Sequence, residues 1–366
     1  MGTEEKKNVL QAFKTNNIGP VGPFINKFEK NLSKYTKVKY SAAVQSGTAA
    51  IHLALRLLEV KTGDIVLCQS LTFIGSCNPI NYQNAVPVFI DSEKETWNIC
   101  PDALETAIKY YLNKGIRPKA IIVVHLYGMP AKMKEIVYIA NRYEIPLIED
   151  AAEALGSKID GKPCGSFGEF GILSFNGNKI ITTSGGGALL SNDENSIIKG
   201  RFLASQAKDN APHFQHSTIG YNYRMSNISA AIGVGQLKVL NERIKSRRTN
   251  YNFYKEIFKE VQFVKFLKEP EGFFSNRWLT TILFNQPKNS LFSSNLFRKY
   301  LDKNKIESRP VWKPMHIQPL FKDSPYFGGE VSENIFQNGL CLPSGSNLTL
   351  NEKDRIKKVF NSYLRQ

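Results

Sequence analysis

Between residues 40 and 190 short apolar runs alternate with helix-like segments, and this alternation restricts the fold of the chain more than any other feature. DIVLCQS (64–70), AVPVFID (85–91), KAIIVVHLYG (119–128) and PLIEDAA (146–152) read as short buried strands. AAIHLALRLLEV (49–60), PDALETAIKYYLN (101–113) and AKMKEIVYIANRYE (131–144) read as helices between them. The first is apolar on nearly every side, so it should be buried. The second opens on Pro101 with Asp102 in its first turn, a helix-start pattern. GILSF (171–175) and GGALLS (186–191) follow. Strands joined through helices of about a dozen residues imply a parallel sheet covered on both faces. Ligands of such sheets bind beyond the carboxyl ends of the strands.

At 366 residues the chain is too long for one simple core, and its texture changes after residue 200. SAAIGVGQLKVLNERIKSRRTNYNFYKEIF (229–258) reads as one long amphipathic helix leading out of the first unit. NRWLTTILFN (276–285), SLFSSNLFRKYLDKN (290–304) and NEKDRIKKVFNSYL (351–364) then suggest a small α+β unit. The expected division is a large α/β domain over 1–240, with a mainly parallel sheet flanked by helices, and a smaller C-terminal α+β domain over 241–366.

Composition excludes several classes. The formal net charge is +16, from 48 Lys and Arg against 32 Asp and Glu. The densest basic clusters, EEKK, ERIKSRR and EKDRIKK, carry acidic neighbours and read as solvated helix faces, not as a nucleic-acid patch. No apolar run approaches the roughly 20 residues that span a bilayer. The start, MGTEEKKNVLQAF, lacks the apolar core of a secretion signal, and Lys6 departs from the lipidation pattern. The expected location is therefore the cytoplasm. Cys68, Cys77, Cys100, Cys164 and Cys341 are odd in number and have no CxxC spacing, which favours buried free thiols over a zinc site or a disulfide framework. No metal is expected.

Three stretches carry chemistry. In IPLIEDAAEALGS, Glu149 and Asp150 fall where a strand ends; the acid is either an ordinary strand-end carboxylate or one aimed into the crevice above the sheet, where burial would demand a cationic partner. In QSGTAAIHLAL, Ser46, Gly47 and Thr48 open the buried helix, as a plain N-cap or as a phosphate site. In SFNGNKIITTSGGG, Lys179 has no acidic neighbour in sequence. It is a loop charge, or a desolvated amine able to attack a carbonyl. The glycines there have neither GxGxxG nor GxxxxGK[ST] spacing, which argues against a nucleotide loop. Together the three match what pyridoxal phosphate requires: an anion site, a carboxylate for the pyridine nitrogen, and a lysine for the aldehyde.

On these stretches, and on NNIGPVGPFINKFE, LTFIGSCNPI, GYNYRMSNISAAIG, ESRPVWKPMH and GLCLPSG, the chain resembles sugar-nucleotide aminotransferases of the DegT/StrS type. These share the fold of pyridoxal phosphate enzymes of fold type I. The similarity runs over nearly the whole chain and is nearest in wording to enzymes that aminate a UDP-linked 4-keto-6-deoxy-N-acetylhexosamine, as in bacillosamine biosynthesis.

The resemblance implies roles. Lys179 would be the Schiff-base lysine and proton shuttle, and Asp150 would pair with the pyridinium nitrogen. Glu153, where relatives carry Gln, His or Glu, would face the cofactor's phenolic oxygen, protonated or sharing one proton with it. Gly47, Thr48 and Ser174 would hold the phosphate. Phe73 would stack on the pyridine ring, although one aromatic in such a stretch is otherwise simply core. Asn222 would reach the phosphate in the neighbouring subunit, making a homodimer with shared active sites. Arg309 and His316 would line the sugar-nucleotide cleft, with a structural turn as the other reading of that stretch. Arg224 would join them or brace the subunit interface. His125 reads as a satisfied histidine, not a catalytic base. L-glutamate would donate the amino group to the C4 ketone of the nucleotide-linked sugar, for bacterial glycan biosynthesis. The alternatives are a C3 ketone or a GDP- or dTDP-linked sugar, or a non-catalytic regulator that binds the cofactor or a sugar. Dehydratases of the same fold carry His at the lysine position, so Lys179 argues against that chemistry.

Overall fold

The computed structural model describes residues 1–285 and 292–365. The first two residues of the expected segment 290–304, Ser290 and Leu291, lie outside the described residues. The rest of that segment holds a helix over Ser294–Lys303.

An eight-stranded sheet runs in the order Tyr40–Val44, Gly187–Ser191, Phe170–Ser174, Leu147–Asp150, Ala120–Val124, Ile65–Gln69, Val86–Ile90, Tyr326–Phe327. From Phe170–Ser174 to Tyr326–Phe327 every neighbouring pair is parallel. Gly187–Ser191 is antiparallel to both of its neighbours. The chain returns from Ser174 to Gly187 through turns with no crossover helix, so the strand must reverse direction.

Strand alternation sorts the apolar side chains onto two faces. Val66, Cys68, Ile122 and Ile148 pack with Ile51, Leu53 and Leu55 of the helix Gly47–Leu57. Leu67, Val88, Ile121 and Val123 pack with Leu104, Ile108 and Ile136 of the helices Pro101–Asn113 and Met133–Arg142. Both faces are therefore dry, as a parallel sheet requires. All five cysteines are free thiols, and four of them are buried.

The expected single helix over 229–258 is two: Asn227–Lys238 and Leu240–Ile257. The amide of Val239 bonds back three residues, to Gln236 O, which tightens the turn. No proline or glycine forces the break. Ala230 and Val234 of the first helix and Leu240 and Ile244 of the second pack in one cluster with Phe28 and Leu32 of the helix Pro23–Thr36, while Tyr254, further along the second, belongs to a cluster with Phe258, Ile282, Phe297 and Phe360.

That second cluster covers a four-stranded antiparallel sheet, ordered Val264–Phe266, Thr280–Phe284, Gly339–Leu342, Arg309–Pro310. The C-terminal half is also tied to the large sheet. Tyr326–Phe327 adds to its edge beside Val86–Ile90. The Asp91 carboxylate then accepts the amides of Gly329, Val331 and Ser332 at 3.0, 3.1 and 2.9 Å, which caps the helix Val331–Asn338. Among the described residues no helix is long and apolar enough to cross a membrane.

Candidate active site

The two acids that end the strand Leu147–Asp150 part company, because neighbouring strand residues face opposite sides of a sheet. Glu149 is fully buried and accepts from His125 Nε2 at 2.9 Å, from the amides of Gly165 and Gly168 at 2.8 and 2.9 Å, and from the amide of Phe167. His125 accepts the Ala131 amide on Nδ1 at 3.0 Å, so its proton sits on Nε2 toward Glu149. Both bonding positions of its ring are filled.

Asp150 faces a cavity of about 240 Å³. No cationic side chain among the described residues pairs with Asp150. Its carboxylate instead accepts the Ser76 hydroxyl at 2.6 Å and the Ala152 amide at 3.1 Å. Thr72 and Ser76 share a further hydroxyl bond of 2.8 Å. One hydroxyl and one amide leave carboxylate lone pairs free to take another donor from the cavity.

Lys179 sits on a turn in the non-helical connection between Phe170–Ser174 and Gly187–Ser191, its amide bonded to Asn176 O at 3.0 Å. The acidic neighbour that its local sequence lacks arrives through the fold. Glu153 Oε1 lies 3.4 Å from Lys179 Nζ. The same ammonium stands 4.2 Å from the centre of the Trp278 ring. Glu153 also accepts the Tyr127 amide on Oε2 at 2.6 Å. Burial pushes the Glu153 carboxyl up to about 7, a rise that Asp150 adds to and that Lys179 and the Tyr127 amide oppose. It is thus poised to exchange a proton near neutral pH.

The far wall is the start of the helix Gly47–Leu57. Ser46 caps it, accepting the Ala49 amide at 3.0 Å, so the plain N-cap and the anion site are compatible uses of one helix end. Gly47 packs beside Ser174: a Cβ on Gly47 would stand 3.2 Å from Ser174 Cβ. The hydroxyls of Thr48 and Ser174 make no intramolecular hydrogen bond among the described residues, and the first amides of a helix are donors without helical partners. These groups meet the needs of a phosphate. Of the three glycines after Lys179, Gly186 and Gly187 are close-packed, while Gly185 is exposed with no close neighbour. A Cβ on Gly187 would lie 2.3 Å from the Ser46 carbonyl carbon.

Gly47, Thr48, Phe73, Asp150, Glu153, Ser174 and Lys179 therefore line a single cavity. An amine, a carboxylate at the opposite end, an exposed aromatic ring and an anion-binding helix start fit pyridoxal phosphate as a donor set. Asn222 is exposed and lies outside the cavity. Arg224 bridges to Val44, and its Nε is buried with no hydrogen-bond partner. Arg309 and His316 do not line the cavity either. Arg309 is exposed and pairs with Glu307 at 2.8 Å. His316 is fixed between the Ser70 hydroxyl at 2.6 Å and Glu333 at 3.1 Å, its ring stacked 3.8 Å from that of Tyr326. The residue of ESRPVWKPMH that does reach the cavity is Trp312, whose ring lies 5.4 Å from that of Phe73. Sequence reasoning passed over Trp312, Trp278 and Ser76. The last stands inside the quoted LTFIGSCNPI, and no local pattern marks the two tryptophans.

A family model described as the DegT/DnrJ/EryC1/StrS aminotransferase family matches residues 1–361. The chain is 53% identical over 363 residues to "Putative pyridoxal phosphate-dependent aminotransferase EpsN" of Bacillus subtilis (strain 168), covering 98% of this chain and 92% of that protein. It is 36% identical over 362 residues to the GDP-perosamine synthase of Escherichia coli O157:H7, covering 98% and 95%. A solved structure, "Putative sugar aminotransferase Spr1654 from Streptococcus pneumoniae, PLP-form", matches with a TM-score of 0.90 at 26% identity, covering 100% of this chain and 97% of that one.

Proposed function

The chain belongs to the DegT/DnrJ/EryC1/StrS aminotransferase family, and on that footing we propose that it moves the amino group of L-glutamate to the C4 ketone of a UDP-linked 4-keto-6-deoxy-N-acetylhexosamine. As a member it is a pyridoxal phosphate-dependent sugar aminotransferase of fold type I. The observation that supports the aminotransferase chemistry is the meeting of Lys179, Glu153 and Asp150 in one cavity at the start of a helix; the choice of sugar rests on the resemblance of the sequence motifs.

In this reading Gly47, Thr48 and Ser174 hold the cofactor phosphate, Asp150 faces the ring nitrogen, and Phe73 covers the ring. The cofactor supplies the electron sink that makes the substrate carbon acidic. Lys179 Nζ would be the attachment point, and the same amine would take the proton from glutamate Cα and deliver one to sugar C4. Glu153, with its carboxyl near 7, holds a proton toward the phenolic oxygen and stays within reach of Nζ. Trp278 and Trp312 close the cavity from the side of the C-terminal half and keep water from the reacting carbon. Two copies share their sites through Asn222 in this reading, and the enzyme works in the cytoplasm.

The relationship to a GDP-perosamine synthase favours a second reading, in which the carrier is a GDP-linked 4-keto sugar. Incubating the purified protein with L-glutamate and UDP-, GDP- and dTDP-linked keto sugars, with product configuration assigned by NMR, separates the two. A UDP-N-acetyl product aminated at C4 is expected. Turnover of the GDP sugar alone would replace the first reading with the second, and amination at C3 would overturn both.

A further inference from the structure

We propose that Trp278 is a positioning residue for Lys179: its indole face and its N–H bond to the lysine turn confine the arc of Nζ, so that the amine, once it has given up its proton, is presented to the reacting carbon. The inference rests on the reading of Lys179 as the reactive lysine. Nζ is captured from two sides, 4.2 Å from the Trp278 ring centre and 3.4 Å from Glu153 Oε1. A lysine stem turns about four bonds, and a charge held from one side only can still swing. Two faces narrow it to one arc, which is how a protein raises the fraction of reactive geometries.

Trp278 is itself fixed. It is 2% exposed. Its indole N–H donates at 2.8 Å to the carbonyl of Asn178, the residue just before Lys179. Its own amide donates to Asn276 Oδ1 at 2.9 Å, and its carbonyl accepts from Arg247 at 2.5 Å. Asn276 in turn donates to the carbonyls of Glu153 and Leu155 at 2.8 and 3.0 Å. One short segment entering the strand Thr280–Phe284 thus sets both partners of the lysine. A leucine in that place would fill volume, yet it would offer neither a π face nor an N–H for the turn.

The test compares Trp278→Leu with Trp278→Phe, which keeps a smaller ring but loses the N–H. In protein stripped of cofactor, labelling of Lys179 by trinitrobenzenesulfonate is followed by peptide mass spectrometry. Loss of the stabilising face should speed labelling about three-fold or more in the leucine variant and about two-fold in the phenylalanine variant. In the holoenzyme, the leucine variant should lower kcat by about ten-fold, with KM for glutamate changed less than about two-fold and a larger isotope effect from glutamate deuterated at Cα. If the leucine variant fails to fold, the phenylalanine variant decides alone. Unchanged labelling and an unchanged isotope effect, with only a lower melting temperature, would make Trp278 a packing residue and overturn the proposal. Faster labelling in a protein whose unaltered form shows no glutamate-dependent turnover would leave the positioning intact and sink the functional reading instead.

Discussion

Glu153 is held near 7 by burial, far above the 4.5 of a free glutamate, and this has a consequence for stability. Between those values the folded protein keeps a proton that the unfolded chain has already released. Folding stability contributed by this group therefore falls as pH rises from about 4.5 to about 7 and is level beyond. In cofactor-free protein, urea titrations from pH 5 to 8 should show a loss on the order of 1–3 kcal/mol from this carboxyl, and Glu153→Gln should remove that slope. A slope that survives the substitution would place the titration elsewhere. Residues whose signal is local were legible in the sequence. Asp150 stands at a strand end, Gly47 and Thr48 at a helix start, and Lys179 among turn residues, and all four line the cavity. The Lys179–Glu153 contact was not legible, because its partners lie 26 residues apart and meet only through the fold. Nor was the Asp150–Ser76 bond, which joins a strand end to a hydroxyl 74 residues away.

At the scale of elements, the site depends on how closely the strand Gly187–Ser191 approaches the start of the helix Gly47–Leu57. A Cβ on Gly187 would fall 2.3 Å from the Ser46 carbonyl carbon and 2.5 Å from the Gly47 amide nitrogen, both backbone atoms that cannot turn aside. Gly187→Ala should therefore cost about 1–3 kcal/mol of stability and weaken cofactor affinity, while an alanine at Gly161, which has open space but a φ of +77°, should cost stability through its backbone and leave affinity unchanged. Equal affinity in the two variants, measured by cofactor titration, would separate the helix start from phosphate binding. The crossover helices and strands were legible because burial on both faces leaves continuous apolar runs. The helix break at Val239 was not, since no helix-breaking residue stands there and residues on both sides of it pack in the same cluster.

For the whole molecule, the C-terminal half closes the site: Trp278 and Trp312 come from it, and Asp91 and Tyr326 tie it to the large sheet. The first core runs across the expected division near residue 240: Leu267, Trp278, Val311 and Ile335 pack in the same cluster as Phe28 and Val234. The proposed sharing of sites between two copies is testable by mixing inactive variants. A dimer of one Lys179→Ala chain and one Asn222→Ala chain carries one intact site, so random re-pairing of equal amounts should restore roughly a quarter of full activity. No restoration would mean that each chain completes its own site. The aromatic closure was not legible, since Trp278 and Trp312 reach the cavity from positions 99 and 133 residues beyond Lys179.

If Lys179 carries the cofactor, reduction should fix the two together. Borohydride reduction of the holoenzyme, followed by digestion and peptide mass spectrometry, tests this directly. The cofactor should be fixed on the peptide containing SFNGNKIITTSGGG, at Lys179, and glutamate added beforehand should abolish the labelling. A label on any other lysine, or no label in protein that still transfers amino groups, would contradict the account.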